Sequence, residues 1–235
     1  MSGAMPTILA IIPARGGSRG LPGKNILAVG GRPMIAWSID AARHAASIDR
    51  VVVSTDDKEI AAVARACGGE VPGLRPAELA RDDTPGVDPI VHMVQSLRTS
   101  EDYAPDYVMV LQPTSPLRTA GDIEAAVALL RARKAAAVVS VCAVTQHLAW
   151  MKRVDPDGRM AAPHEAPPRQ EVQPQYVLNG AIYLVATESL MATHSLYAEP
   201  TYVYVMPAER SIDVDAQWDL HLADLALRFP MPDQP

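Results

Sequence analysis

Between Arg15 and Lys24 the chain concentrates the means to bind phosphate. Gly16, Gly17 and Gly20 let the main chain approach an anion closely and turn N–H groups toward it. Arg15, Ser18, Arg19 and Lys24 add charge and hydrogen-bond donors. Near the other end, Asp213 and Asp215 stand two residues apart in an extended segment, so their carboxylates share a side. Two converging oxygens suit Mg²⁺ (or Mn²⁺), which takes a few carboxylates and completes its shell with water and phosphate oxygens. Asp215 alone would also serve as a cap for a following helix. Joined to a cationic loop, the acid pair points to metal-assisted chemistry on a phosphorylated ligand.

The common phosphate signatures are absent. A Walker loop needs Ser or Thr after Gly-Lys, whereas Gly23-Lys24 is followed by Asn25. Gly17-Ser18-Arg19-Gly20 lacks the spacing of a dinucleotide loop. No Ser-His-Asp order or nucleophile elbow is present, and His147 and His164 have no second histidine at ligand spacing.

The elements that must position these residues follow from periodicity. Thr7 to Ile12 is a buried strand that empties into the Gly-rich loop, as at the carboxyl edge of an α/β sheet. Met34–Ala46 reads as a helix, Arg50–Ser54 as a strand ending in a capping sequence, and Ile60, Val63, Ala64 and Cys67 as a helical stripe closed by Gly68-Gly69. A loop from Pro72 to Pro85 leads to a helix through Val87, Ile90, Val94 and Leu97. Tyr107–Leu111 is an apolar strand ending in the polar loop Gln112–Arg118, and Thr119 with Asp122 suggests a capping box. Ala136–Val144 and Val177–Val185 read as strands, as does Tyr202–Met206. The final helix is expected to bury Trp218, Leu222, Leu225 and Phe229. This β-α alternation predicts a three-layer α/β/α domain with a mainly parallel sheet. Between Thr145 and Gln175 the pattern breaks into prolines and scattered charge, which marks an excursion with a task of its own. The whole chain, 1–235, is expected to form a single domain.

Composition narrows the partners. Of 235 residues 49% are hydrophobic, enough for a sizeable core, and the net charge is −6. An acidic protein is a poor match for a nucleic-acid polymer or a membrane surface. The basic loop is thus a local feature for a small anion. The two cysteines, Cys67 and Cys142, lie far apart in apolar patterns and read as buried free thiols of a cytoplasmic protein.

At this point the residues resemble a known family, the acylneuraminate cytidylyltransferases, which make CMP-activated sialic, legionaminic and pseudaminic acids. Kdo cytidylyltransferases are more distant relatives. Ile12-Pro-Ala-Arg-Gly-Gly-Ser-Arg-Gly-Leu-Pro-Gly-Lys-Asn25 is similar to the family's nucleotide loop. Val53–Asp57, Leu74–Ala80, Leu111–Arg118, Asn179–Tyr183 and Ile212–Asp215 are similar to its other blocks and occur in the same order. The resemblance implies a Rossmann-like nucleotide-diphosphosugar transferase fold, CTP and an acidic sugar as substrates, a Mg²⁺ requirement, and a homodimer built through residues 145–175. Arg15, Gly17, Ser18 and Lys24 would hold the triphosphate and Asn25 would contact the nucleotide. Arg75 with the main chain at Thr84–Gly86 would read cytosine. Gln112, Arg169, Asn179 and Tyr183 would line the sugar pocket, and Asp213 and Asp215 would hold the metal. Arg15, Lys24 and Asp215 would carry catalysis.

Two positions depart from the sialate pattern. Gly86 stands where a serine is usual near the base, and Val177 where an arginine helps hold the sugar carboxylate. Gly86 leaves only a main-chain contact to the base, Val177 argues against strict N-acetylneuraminate specificity, and the Kdo branch lacks much of the Asn179-Gly block, so the resemblance favours a nine-carbon acid other than sialic acid. The implied reaction is in-line attack of an anomeric hydroxyl on the α-phosphorus of CTP with loss of pyrophosphate. A nucleotidyltransferase for another acid, such as Kdo or a phosphonate, and a catalytically inactive nucleotide-binding module are the alternatives. A glycosyltransferase is a third, since such enzymes also carry Asp-x-Asp.

Overall fold

The computed structural model describes residues 6–18, 20–161 and 168–229. In chain order the elements are β1 (Ile8–Pro13), the hairpin strands β2 (Ala28–Val29) and β3 (Arg32–Pro33), α1 (Met34–His44), β4 (Arg50–Ser54), α2 (Lys58–Ala66), α3 (Asp88–Glu101), β5 (Tyr107–Val110), α4 (Ala120–Arg133) and β6 (Ala137–Ala143). There follow the short pair β7 (Arg153–Val154) and β8 (Met160–Ala161), then β9 (Tyr176–Ala186), α5 (Thr187–Thr193), β10 (Thr201–Val205) and α6 (Gln217–Arg228).

Six strands form one sheet in the order β10-β6-β9-β5-β1-β4. Pairing of β1 with β4 and β5, and of β6 with β10, is parallel. Strand β9 alone runs the other way, wedged between β5 and β6. It therefore begins at the edge where its neighbours end, and brings Asn179, Gly180 and Tyr183 to the carboxyl ends of β1 and β5. The register shifts between Val139 and Val141, where the Ser140 hydroxyl accepts the Ile182 N–H at 2.7 Å in place of a ladder carbonyl.

Both faces of the sheet are covered. Ile12, Ile35, Ile39, Val53, Met109 and Leu184 belong to one apolar cluster, and Leu9, Ile11, Ile90, Leu97 and Val108 to the other. A third cluster joins Leu21, Val29, Met34, Val214 and Ala223. It anchors the loop after β1, the hairpin and the chain before α6 to one another. The expected caps are present: Asp57 accepts the Glu59 and Ile60 N–H groups at 2.7 and 3.1 Å, and Thr119 and Asp122 form the capping box of α4.

Two expectations are corrected. Helix α6 does not bury the stripe of Trp218, Leu222, Leu225 and Phe229: Trp218 is 67% and Phe229 72% exposed. The helix carries two stripes of equal period, and the inner one is Leu220, Ala223 and Leu227. The small Ala223 permits close approach, and Asp224 on the same side accepts the Gly30 N–H at 2.8 Å. The cysteines are free but half-buried rather than buried, because Cys67 caps the end of α2 and Cys142 lies near the end of β6.

Candidate active site

The sequence from β1 to the turn at Lys24–Ile26 folds back against the sheet edge because its own polar groups hold it there. Asn25 is buried, and its amide donates to the Arg15 carbonyl at 2.9 Å. The Gly16 N–H donates to Asp56 at 3.1 Å. Gly20 lies against the chain near α6: a Cβ there would stand 2.8 Å from the Asp215 carbonyl oxygen. Absence of a side chain is what lets these two segments, nearly two hundred residues apart in sequence, meet.

The meeting is sealed by charge. Lys24 Nζ donates to Asp215 at 2.9 Å. Val214 is fully buried in the third cluster, so alternation turns Asp213 and Asp215 together toward the open side. Burial, and the neighbouring Asp215, hold the Asp213 carboxyl above the usual carboxylate range, opposed by a hydrogen bond from Thr114 and by Lys24. Asp215 does not cap α6. That task falls to Asp219, which accepts the Asp215 and Ala216 N–H groups at 3.1 and 2.8 Å.

These residues line a cleft of about 990 Å³ with Arg15, Ser18, Lys24, Asn25, Arg75, Thr84, Gly86, Gln112, Tyr183, Asp213 and Asp215 on its walls. Three of its cations are paired with carboxylates: Arg15 with Asp82 at 2.8 Å, Lys24 with Asp215, and Arg75 with Asp56 at 3.6 Å. Burial lowers the Arg75 pKa, which Asp56 partly restores. Its Nε has no hydrogen-bond partner among the described residues.

Gly180 makes the wall beside Asp213 possible. It sits at φ +71°, and a Cβ would come within 2.5 Å of Gln112 Oε1 and 3.6 Å of Asp213 Oδ2. The gap left by the missing side chain is where Gln112 and Asp213 converge.

Two expected residues are placed otherwise, and the side chain of a third is not described. Gly17 is exposed in the loop and is not among the residues lining the cleft. Asn179 is 4% exposed and stands behind the wall. Its carbonyl oxygen accepts from Ser140 Oγ at 2.6 Å and its amide donates to Ser211 Oγ at 2.9 Å. With its side-chain groups used inside the protein, Asn179 is corrected from a pocket-lining to a supporting residue. Arg169 opens the turn Arg169–Glu171, and its side chain lies outside the described residues, as does Arg19. His164 also lies outside them.

Sequence reasoning missed part of the wall. Asp82 and Thr114 line the cleft, as do His194, Ser195, Leu196 and Tyr197 from the connection between α5 and β10. Tyr197 meets Tyr183 edge to face, with ring centroids 6.3 Å apart. No motif marks that connection; its only local signal is a turn after a short helix. Among the described residues no cluster of three or more His, Cys, Asp or Glu is placed to hold a metal; Asp213 and Asp215 are a carboxylate pair on the cleft wall. They fit a divalent cation: two carboxylates projecting to one side, one of them already meeting a cation in Lys24.

The chain resembles several known proteins. A family model described as cytidylyltransferase matches residues 9–155. A CMP-N,N'-diacetyllegionaminic acid synthase of Legionella pneumophila is 35% identical over 221 residues, covering 92% of this chain and 94% of the relative. An N-acylneuraminate cytidylyltransferase of Streptococcus agalactiae is 32% identical over 90% of this chain, which spans 51% of that longer relative. A solved CMP:2-keto-3-deoxy-manno-octonic acid synthetase complexed with CTP shares the fold, with a TM-score of 0.69, 21% identity, and coverage of 94% of this chain and 98% of that one.

Proposed function

The chain belongs to the cytidylyltransferase family, and from that premise we propose that it transfers CMP from CTP to the anomeric hydroxyl of an acidic ulosonic sugar, of the sialic, legionaminic or pseudaminic acid type, with release of pyrophosphate. The observation that carries this reading is one cleft lined by Arg15, Lys24 and Arg75 together with the Asp213–Asp215 pair. Cations neutralise a triphosphate, and the acid pair suits the metal that such a transfer needs.

In this reading Arg15, Ser18 and Lys24, with the main chain at Gly17, hold the triphosphate, and Asn25 contacts the nucleotide. Lys24 leaves Asp215 for phosphate oxygens and offsets the charge that grows on departing pyrophosphate. Arg75 and the main chain between Thr84 and Gly86 take the base. Gln112, Tyr183 and Arg169 meet the sugar acid. Asp213 and Asp215 would hold Mg²⁺ or Mn²⁺. An ion held by these two carboxylates would supply positive charge beside the phosphates and would make the attacking hydroxyl more acidic. The cleft walls hold the acceptor oxygen in line with the phosphorus, where positioning supplies most of the rate.

The proposed assembly is a homodimer joined through residues 145–175. Its support is an apolar surface: Leu148, Met151, Val154 and Met160 are exposed on the excursion, with Tyr176, Val177 and Leu178 beside them. Sedimentation as a dimer at micromolar concentration is expected; a monomer there would overturn this part. The free thiols Cys67 and Cys142 fit a reducing, cytoplasmic setting, and no helix among the described residues is long and apolar enough to cross a membrane.

The test is pyrophosphate release from CTP and Mg²⁺ with a panel of ulosonic acids, with the product identified by mass. Release with a nine-carbon acid is expected. Release only with Kdo or a phosphonate would reassign the acceptor, and CTP binding without release on any acceptor would leave an inactive nucleotide-binding module.

A further inference from the structure

The chain leading into the acid pair is held at consecutive residues by groups that do not face the cleft. Arg210, three residues before Asp213, donates to Asp122 through Nε at 3.1 Å and Nη2 at 2.9 Å. Asp122 is fully buried and also accepts from the Tyr204 hydroxyl at 2.9 Å and from the Thr119 N–H at 2.9 Å. Ser211, the next residue, receives the Asn179 amide at 2.9 Å and donates to the Pro207 carbonyl at 2.8 Å. One residue beyond Asp213, the Val214 N–H donates to the Thr114 carbonyl at 2.8 Å. Asp213 is thus bracketed on both sides.

Asn179 is the hub of this arrangement. Through Ser140 it is tied to the bulge in β6, through Ser211 to the acid segment, and its own carbonyl accepts from Ser115 Oγ at 3.4 Å in the loop that carries Gln112. Its chain neighbour Gly180 leaves the space in which Gln112 and Asp213 converge. A displacement of Asn179 would therefore move both walls relative to each other. The side chain is 4% exposed, so it acts on the cleft through these bonds.

We infer that Asn179 is a positioning residue, which through Ser211 fixes the Asp213–Asp215 pair against the Gln112 loop, and does not itself bind the sugar. The inference rests on the reading of the cleft as a metal-dependent cytidylyltransferase site. It predicts that the Asn179–Ser211 bond controls how well the acid pair receives a divalent ion and how well the reacting groups align, while the apparent affinity for the sugar acid is left unchanged. Groups that support metal ligands from behind commonly alter metal affinity or turnover by about 10–100-fold when removed.

The experiment compares wild type with Ser211→Ala, Asn179→Ala and the double variant of the full chain. Mn²⁺ affinity in the presence of CTP is read by electron paramagnetic resonance, kcat and the KM of the sugar acid by pyrophosphate release, and folding by urea unfolding. Ser211→Ala removes one hydroxyl and keeps the fold testable if Asn179→Ala does not. Expected are Mn²⁺ affinity and kcat each lower by about tenfold, KM for the sugar acid within about twofold, and a double variant no worse than Asn179→Ala, since both act through one bond. A rise in sugar KM with unchanged kcat and Mn²⁺ affinity would make Asn179 a sugar contact and overturn the inference. Loss of unfolding free energy alone, with both readouts intact, would also overturn it. If no acceptor supports turnover in wild type, the functional reading fails, while the Mn²⁺ measurement still decides the positioning role.

Discussion

Lys24 and Arg118 are both cations beside the same cleft, yet they are held in opposite ways. Lys24 lines the cleft and donates to the largely exposed carboxylate of Asp215. Arg118 is 2% exposed and donates to the carbonyls of Gln112 at 3.2 Å and Ala181 at 2.8 Å and to Ser38 Oγ at 2.5 Å. Main-chain carbonyls of a sheet edge cannot be given up without unfolding the edge. An exposed carboxylate can be exchanged for a phosphate oxygen at little cost. A cation in front of the wall is therefore available to a ligand, and one behind it is part of the wall. Burial pushes the Arg118 pKa down to about 10, with Asp122 opposing, which still leaves it charged at neutral pH.

The largest effect should come from the rear. Arg118→Ala would leave the Gln112 and Ala181 carbonyls short of a donor and open a void, costing about 3–5 kcal/mol in unfolding free energy. A loss under 1 kcal/mol in urea titration would break the distinction. At the front, Asp213→Ala should lower kcat on the order of 10²–10³-fold, the range for removing a preorganised charged group at a reacting centre, with the unfolding midpoint little changed. Near-normal turnover at low Mg²⁺ would reassign the pair.

Asp122→Asn sharpens the comparison through pH. Burial works against the Asp122 charge, but hydrogen bonds from Arg210, Thr119 and Tyr204 prevail and hold its pKa below the ordinary value. A carboxylate depressed in the folded state contributes stability that is present above its unfolded pKa and lost as pH falls through the folded one. The variant should thus be about 2 kcal/mol less stable at neutral pH. The gap between variant and wild type should narrow below about pH 4. A gap that widens with acid would contradict the account. Urea unfolding across the range measures it.

Much of this was legible in the chain because it is local. The run Arg15 to Lys24 and the Asp213-x-Asp215 pair stand out by spacing alone, and both line the cleft; the Thr119–Asp122 cap follows from a four-residue pattern. What escaped is non-local. Periodicity marks β9 as a strand without giving its direction, and that direction sets what reaches the cleft. Asn179 and Arg118 belong to motifs, but only packing shows that their polar groups are spent inside the protein. In α6 two apolar stripes share one period, and the choice between them was made by the fit of Ala223 against the hairpin. The His194–Tyr197 wall is assembled by a turn that carries no chemical pattern.

The proposed function places CTP in one cleft, with the triphosphate over Lys24 and the base at Arg75. It is tested most directly by kcat/KM with CTP and with UTP for Lys24→Ala and Arg75→Ala. Lys24 is a point charge without the planar fork that reads a base edge, so Lys24→Ala should lose about 2 kcal/mol of transition-state stabilisation with either nucleotide and keep the CTP-over-UTP preference. Arg75→Ala should relax that preference. Relaxed base choice in Lys24→Ala, with an intact preference in Arg75→Ala, would contradict the placement.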